Sequence, residues 1–233
     1  MDRTERFGED LELLTLRLGQ DLKSEENDCL IGLKNRLVEL QKSNVVKINH
    51  SVMELVCAKP LLQKGYTVQV EHELEPALVC DLYATKGDGN HIVEIETGYI
   101  PPEHALDPST YLLARIASKI TRYSNHTGKF ALGTPPHYVL PIPQPLLTAP
   151  RNRTREDLKT VKALCDLYYT KPPVSLDEVK NARLHSIYLI NVDGLTAQET
   201  DPEAYTASKY CLASDLARFV AEECSAQKTR GLS

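Results

Sequence analysis

The chain has 233 residues, 42% of them hydrophobic and 25% charged, and a formal net charge of −5. That balance belongs to a globular protein with a substantial core. It leaves no apolar run long enough to span a bilayer and argues against a non-specific coat for nucleic acid, though not against a local basic patch.

Residues 1–10 are mostly charged and no apolar stretch of the secretory type follows, so a cytoplasmic location is expected. Leu11, Leu14, Leu18 and Leu22 recur at helical spacing, as do Leu30, Leu33, Leu37 and Leu40. They predict helices over 8–22 and 26–43, separated by the polar run Ser24 to Asp28, an N-terminal hairpin occupying residues 1–46. Its leucine stripes serve the core or a homodimer contact. The next helix starts near Asn49, with Pro60 placed to kink it and Gly65 to end it. Tyr66 to Glu73 alternates as a strand, with Tyr66, Val68 and Val70 on one side.

Two apolar strands follow, Val79 to Thr85 and His91 to Gly98, around the turn residues Lys86 to Asn90. After a proline-containing loop, Asp107-Pro108 reads as an N-cap with proline at N1, and a helix runs to about Ser124. Lys129 to Gly133 is a short strand. Residues 135–150 hold six of the fourteen prolines and are expected to be extended and irregular. Thr154 caps a helix to about Tyr169, His185 to Val192 is an apolar strand, and a last helix covers Ala204 to Cys224. The predicted fold is α/β, a mixed sheet flanked by helices, with a core at 47–150 and an α-β-α extension at 151–233 on the same sheet.

Three acids stand out because apolar residues flank them. Glu94 and Glu96 are two apart in a strand, so they leave one face about 7 Å apart. Asp81 joins that face if it lies opposite Glu94 or Glu96, and not opposite Ile95. A four-residue loop, Lys86 to Gly89, pairs Thr85 with Asn90 and produces that register. Three hard oxygen ligands in a half-buried place suit Mg²⁺ or Mn²⁺ better than zinc.

This arrangement resembles the PD-(D/E)XK nuclease superfamily, which includes archaeal Holliday junction resolvases and restriction endonucleases. The likeness rests on a helix with Glu54, then Gly65-Tyr66-x-Val68, then Asp81, then Glu94-x-Glu96, and covers residues 49–133. It implies a restriction-endonuclease-like sheet and a metal-dependent DNA endonuclease or exonuclease. By that resemblance Asp81 bridges the metal, Glu94 is the second ligand, and Glu54 assists. Glu96 stands where the family usually has lysine, and would act as base or further ligand. Lys119, four before Tyr123, resembles the helix motif of exonuclease-type members and is the other group that would orient the attacking water.

Arg115, Lys119 and Arg122 recur at i, i+4, i+7, as do Arg155, Lys159 and Lys162, and Arg151 and Arg153 precede the second set. These cations are the expected DNA contacts, since phosphate contacts position a strand. Solvated helix faces explain the same spacing. The histidines show no metal spacing; His50, four before Glu54, is a supporting neighbour at most. No P-loop, dinucleotide fingerprint or G-x-S-x-G elbow occurs. The six cysteines, Cys29, Cys57, Cys80, Cys165, Cys211 and Cys224, never reach a CxxC spacing and mostly read as small buried hydrophobes. The leading expectation is therefore a nuclease. Its rivals are an inactive nuclease-fold module for nucleic-acid binding or assembly, and a small-molecule enzyme using the same carboxylates.

Overall fold

A computed structural model describes residues 3–43, 46 and 48–209. Three helices come first, α1 (Arg3–Leu18), α2 (Ser24–Lys42) and α3 (Ile48–Gln63). Gly65 takes φ +78°, and the Gly65 and Tyr66 amides donate to the Leu62 and Leu61 carbonyls, so glycine ends α3 as expected. Strands β1 (Thr67–Glu75), β2 (Leu78–Lys86) and β3 (Gly89–Ile95) form an antiparallel meander. Helix α4 (Pro108–Tyr123) crosses to β4 (Lys129–Thr134), which runs parallel to β3. Helices α5 (Gln144–Leu147), α6 (Arg155–Asp166) and α7 (Leu176–Asn181) lead to β5 (Ser186–Asn191), parallel to β4, and β6 (Thr196–Thr200) returns antiparallel. The sheet order is β1-β2-β3-β4-β5-β6.

Helices α1, α2 and α3 cover one face of the sheet. Leu11, Leu18, Leu30 and Leu37 pack with Leu55, Leu61, Val93 and Ile95 there. The expected leucine stripes are thus spent inside the chain, at roughly 1.5–3 kcal/mol for each side chain fully buried. On the other face Ile116, Ile120, Val161 and Val179 of α4, α6 and α7 pack on Ile92, Phe130, Leu132 and Ile187. The architecture is a mixed α/β sandwich with an N-terminal helix pair. No helix among the described residues is long and apolar enough to cross a membrane.

The hairpin turn differs from expectation in size but not in register. Lys86 pairs with Gly89, leaving a two-residue turn whose first member, Gly87, has φ +57°. A glycine there suits the tight turns that match strand twist. Thr85 pairs with Asn90, as a four-residue loop would also arrange, and the ladder continues to Leu82 opposite Val93. The paired ladder ends there, so Asp81 and Glu94 stand one step beyond it.

Several elements lie outside the sequence expectation. Strand β6 and the short helices α5 and α7 are additions, and α5 falls within the proline-rich stretch. Of the last helix, residues 202–209 are helical; the remainder, with Cys211 and Cys224, lies outside the described residues. Cys57, Cys80 and Cys165 are buried, whereas Cys29 is exposed.

Candidate metal centre and catalytic pocket

The site forms where β2 and β3 part. Beyond Leu82 and Val93 the carboxylates of the facing residues occupy backbone donors of the neighbouring strand. The Asp81 amide donates to Glu94 Oε1 at 2.9 Å, and the Ile95 amide donates to Asp81 Oδ2 at 2.5 Å. Asp81 is thereby fixed in the fork, reachable from both faces of the sheet.

From the helical layer above, α3 supplies His50 and Glu54, one turn apart on one face. His50 Nε2 lies 3.0 Å from the Ile95 carbonyl and must be its donor there. Nδ1 is left facing Glu54 Oε1 at 3.3 Å and Asp81 Oδ1 at 3.5 Å. Burial works against the imidazolium, but the Asp81 charge and the Glu54 bond outweigh it and lift the His50 pKa to about 9. Glu54 is fully buried, and burial, with Asp81 adding to it against His50, pushes its carboxyl up to about 7. Its Oε2 has no hydrogen-bond partner. Edge strand β1 adds Glu71, a non-glycine residue at φ +48°, raised to about 7 by burial and then by Asp81. His50, Glu54, Glu71 and Asp81 bring ligand atoms within 4.8 Å of one another. That is close to the span of about 4–5 Å between atoms sharing one divalent ion.

Glu94 and Glu96 point to the α4 side, as their spacing predicts. There α4 sets Lys119 among them, with Nζ 2.9 Å from Glu94 Oε2, 2.7 Å from Glu96 Oε1 and 3.7 Å from Asp81 Oδ2. Lys119 also donates to the Ile95 carbonyl at 3.3 Å. Desolvation opposes its charge, yet the three carboxylates hold its pKa well above that of a free lysine. Arg115 Nε straddles both oxygens of Glu96, at 3.1 and 2.9 Å. Glu96 therefore stays ionised despite burial, its pKa lowered by Lys119 and Arg115. Glu94 carries no arginine, and burial with the Asp81 charge raises it to about 8 against the pull of Lys119.

A cavity of about 290 Å³ opens onto these groups, lined by His50, Asp81, Glu94, Lys119, Arg122 and Tyr169 among others. Tyr123 lines it too and donates from its hydroxyl to the Val79 carbonyl at 2.8 Å. No family model matches the chain, and comparisons with curated proteins and with solved structures return no match.

The expected ligands divide between two sides of Asp81. Glu54 and Asp81 meet His50 and Glu71, while both oxygens of Glu94 and of Glu96 are taken by donors of the chain itself. Of the expected DNA-binding cations, Arg115 and Lys119 face the acids, and Arg122 lines the cavity. Arg153 donates to the carbonyls of Pro145, Thr148 and Val179 and is committed within the chain. Lys159 pairs with Glu156 and Lys162 with Asp166, whereas Arg151 and Arg155 are exposed. Glu71 has no sequence signal for its place here, since a single left-handed residue in an alternating strand leaves no local mark. His50 had one, its four-residue spacing from Glu54.

Proposed function

We propose that the chain is a divalent-metal-dependent nuclease, a relative of the PD-(D/E)XK enzymes, that hydrolyses phosphodiester bonds in DNA. The observation that carries this is the buried Glu54 Oε2, left without a partner in a cluster with His50, Glu71 and Asp81. A buried carboxylate oxygen with no donor is costly unless a cation completes it. One nitrogen and three carboxylates fit Mn²⁺ or Mg²⁺, the imidazole favouring Mn²⁺. These four residues would hold the ion, which would supply Lewis acidity toward a phosphoryl oxygen and activation of water.

The chain's own groups do the rest. Asp81 is oriented by the Ile95 amide and faces both the cluster and the cavity. Lys119, held by Glu94 and Glu96, presents a fixed positive charge where a phosphate oxygen would gain charge. Glu96, saturated by Arg115 and Lys119, fixes that lysine in place of the usual strand lysine. Arg122 and the exposed Arg151 and Arg155 are the cations left to position a strand. A homodimer through the N-terminal helices and a cytoplasmic location belong to the same proposal.

One observation favours the alternative of an inactive nuclease-fold module. Lys119 already has an acceptor for each of its three ammonium hydrogens, in Glu94, Glu96 and the Ile95 carbonyl. Cleavage of labelled single-stranded, duplex and branched DNA with Mg²⁺ or Mn²⁺, beside an identically purified Asp81→Ala protein, decides between them. Cleavage by the wild type alone is expected. Retained DNA binding with no cleavage would move the assignment to the inactive module, and equal cleavage by both proteins would mean a contaminant.

A further inference from the structure

The nuclease reading uses the floor of the cavity but not its aromatic wall. Helix α6 is followed by Leu167, Tyr168 and Tyr169, and the two tyrosines face different neighbours. Tyr169 lines the cavity, half-buried, with the Arg122 guanidinium 6.0 Å from its ring centre. Tyr168 is 37% exposed and packs edge-on against His104 at 4.7 Å and Tyr111 at 5.6 Å. His104 in turn stacks on Tyr111 at 4.2 Å with the rings nearly parallel. Tyr111 connects this stack to the acidic site, because Arg115, which grips Glu96, also donates to its hydroxyl at 3.4 Å.

Arg122 is the cation of this wall that the chain leaves open. It has no carboxylate partner among the described residues and, at the edge of the acid cluster, lies over one face of the Tyr169 ring and leaves the other. That combination of a π-face, an unpaired cation and a carboxylate cluster matches one repeating unit of chemistry, a base followed by its phosphate. A base inside a duplex hides both faces in its own stack, so only an unpaired base can lie on Tyr168 or Tyr169. We infer that Tyr168, Tyr169 and Arg122 form a subsite for unpaired nucleotides of a DNA strand, adjoining the carboxylate cluster. The inference rests on the nuclease reading for its choice of ligand, and it gives the substrate as single-stranded or locally unpaired DNA. The rings hold the base and Arg122 holds the phosphate.

The test uses the full chain in EDTA, so that binding is read without cleavage. Fluorescence anisotropy compares a labelled oligodeoxythymidylate, an abasic strand of the same length and a duplex of the same length. The base-bearing strand is expected to bind about tenfold or more tightly than the other two. Tyr168→Ala and the apolar, non-aromatic Tyr169→Leu should each shrink that advantage about fivefold or more, with an unchanged melting temperature confirming the fold. Arg122→Gln should weaken both single strands alike. Equal affinity for abasic and base-bearing strands, duplex bound as tightly as single strand, or tyrosine variants that keep the full advantage would each overturn the subsite. Failure of the nuclease reading registers separately, as base-dependent binding by a protein that cuts no DNA.

Discussion

Lys119 shows how much one side chain holds together at this site. Its ammonium is the shared counter-charge for Glu94 and Glu96 and lies within 3.7 Å of Asp81. Lys119→Met would leave these buried carboxylates without it, and breaking a buried pair from one side costs about 3–5 kcal/mol. Urea unfolding of the variant should show a loss of that size. His91 presents the opposite case, a buried titratable group with nothing to bind. It is 1% exposed, lies between the rings of Tyr66 and Tyr188, and neither ring nitrogen has a hydrogen-bond partner. Burial, with Lys129 nearby, lowers its pKa from 6.5 to about 4. Across that interval the unfolded chain takes up a proton that the folded chain refuses. His91 therefore contributes no penalty above pH 6.5, and stability falls as pH drops from 6.5 towards 4, by roughly 3 kcal/mol in all. His91→Phe should remove this step from the pH dependence, measured by urea unfolding above and below the window.

At the scale of elements, the N-terminal helices spend their leucine stripes inside the chain and keep two leucines outside. The stripe from Leu11 to Leu18 and that from Leu30 to Leu37 are buried, while Leu13 and Leu16 on α1 are 61% and 63% exposed. A homodimer through this pair must therefore use the face opposite the stripe. Light scattering should show a dimer in the wild type and a monomer in a Leu13→Glu, Leu16→Glu double variant; an unchanged mass in the variant would remove the helices from any interface. Elements with local punctuation were legible in the sequence. Asp107-Pro108 opens α4, Gly65 closes α3, Thr154 caps α6 with Asp157 returning the bond, and Gly87 fixes the hairpin register. Strand β6 was not legible, because Thr196-Ala-Gln-Glu-Thr200 is a polar edge strand whose one buried-facing carboxylate, Glu199, is held by Lys64 and Lys129 from elsewhere in the chain. The site was half legible for the same reason. Residues along one strand or one helix declare their shared face, as Glu94 with Glu96 and Arg115 with Lys119 do, but the fork that separates the two sides of Asp81 exists only in three dimensions.

Across the whole molecule, two helical layers meet through one aspartate. Asp81 is touched by α3 from one face of the sheet and by α4 from the other, so a change on either side reaches the same carboxylate. The strand that completes this junction is β1, at the edge of the sheet, and there Glu71 holds a left-handed φ of +48° that a side chain rarely adopts. Holding such a conformation costs of order 1–3 kcal/mol, and the Glu71 carboxylate is further disfavoured by burial and by Asp81. Glu71→Gly relieves both, since glycine occupies that region freely. The variant should melt higher than the wild type in EDTA, while the rise in melting temperature that the metal proposal expects of the wild type with Mn²⁺ should shrink. If the variant melts lower in EDTA, the strain argument fails. On the proposed metal reading, Glu71 is a tension kept in the resting fold, durability given up in exchange for readiness to take up an ion.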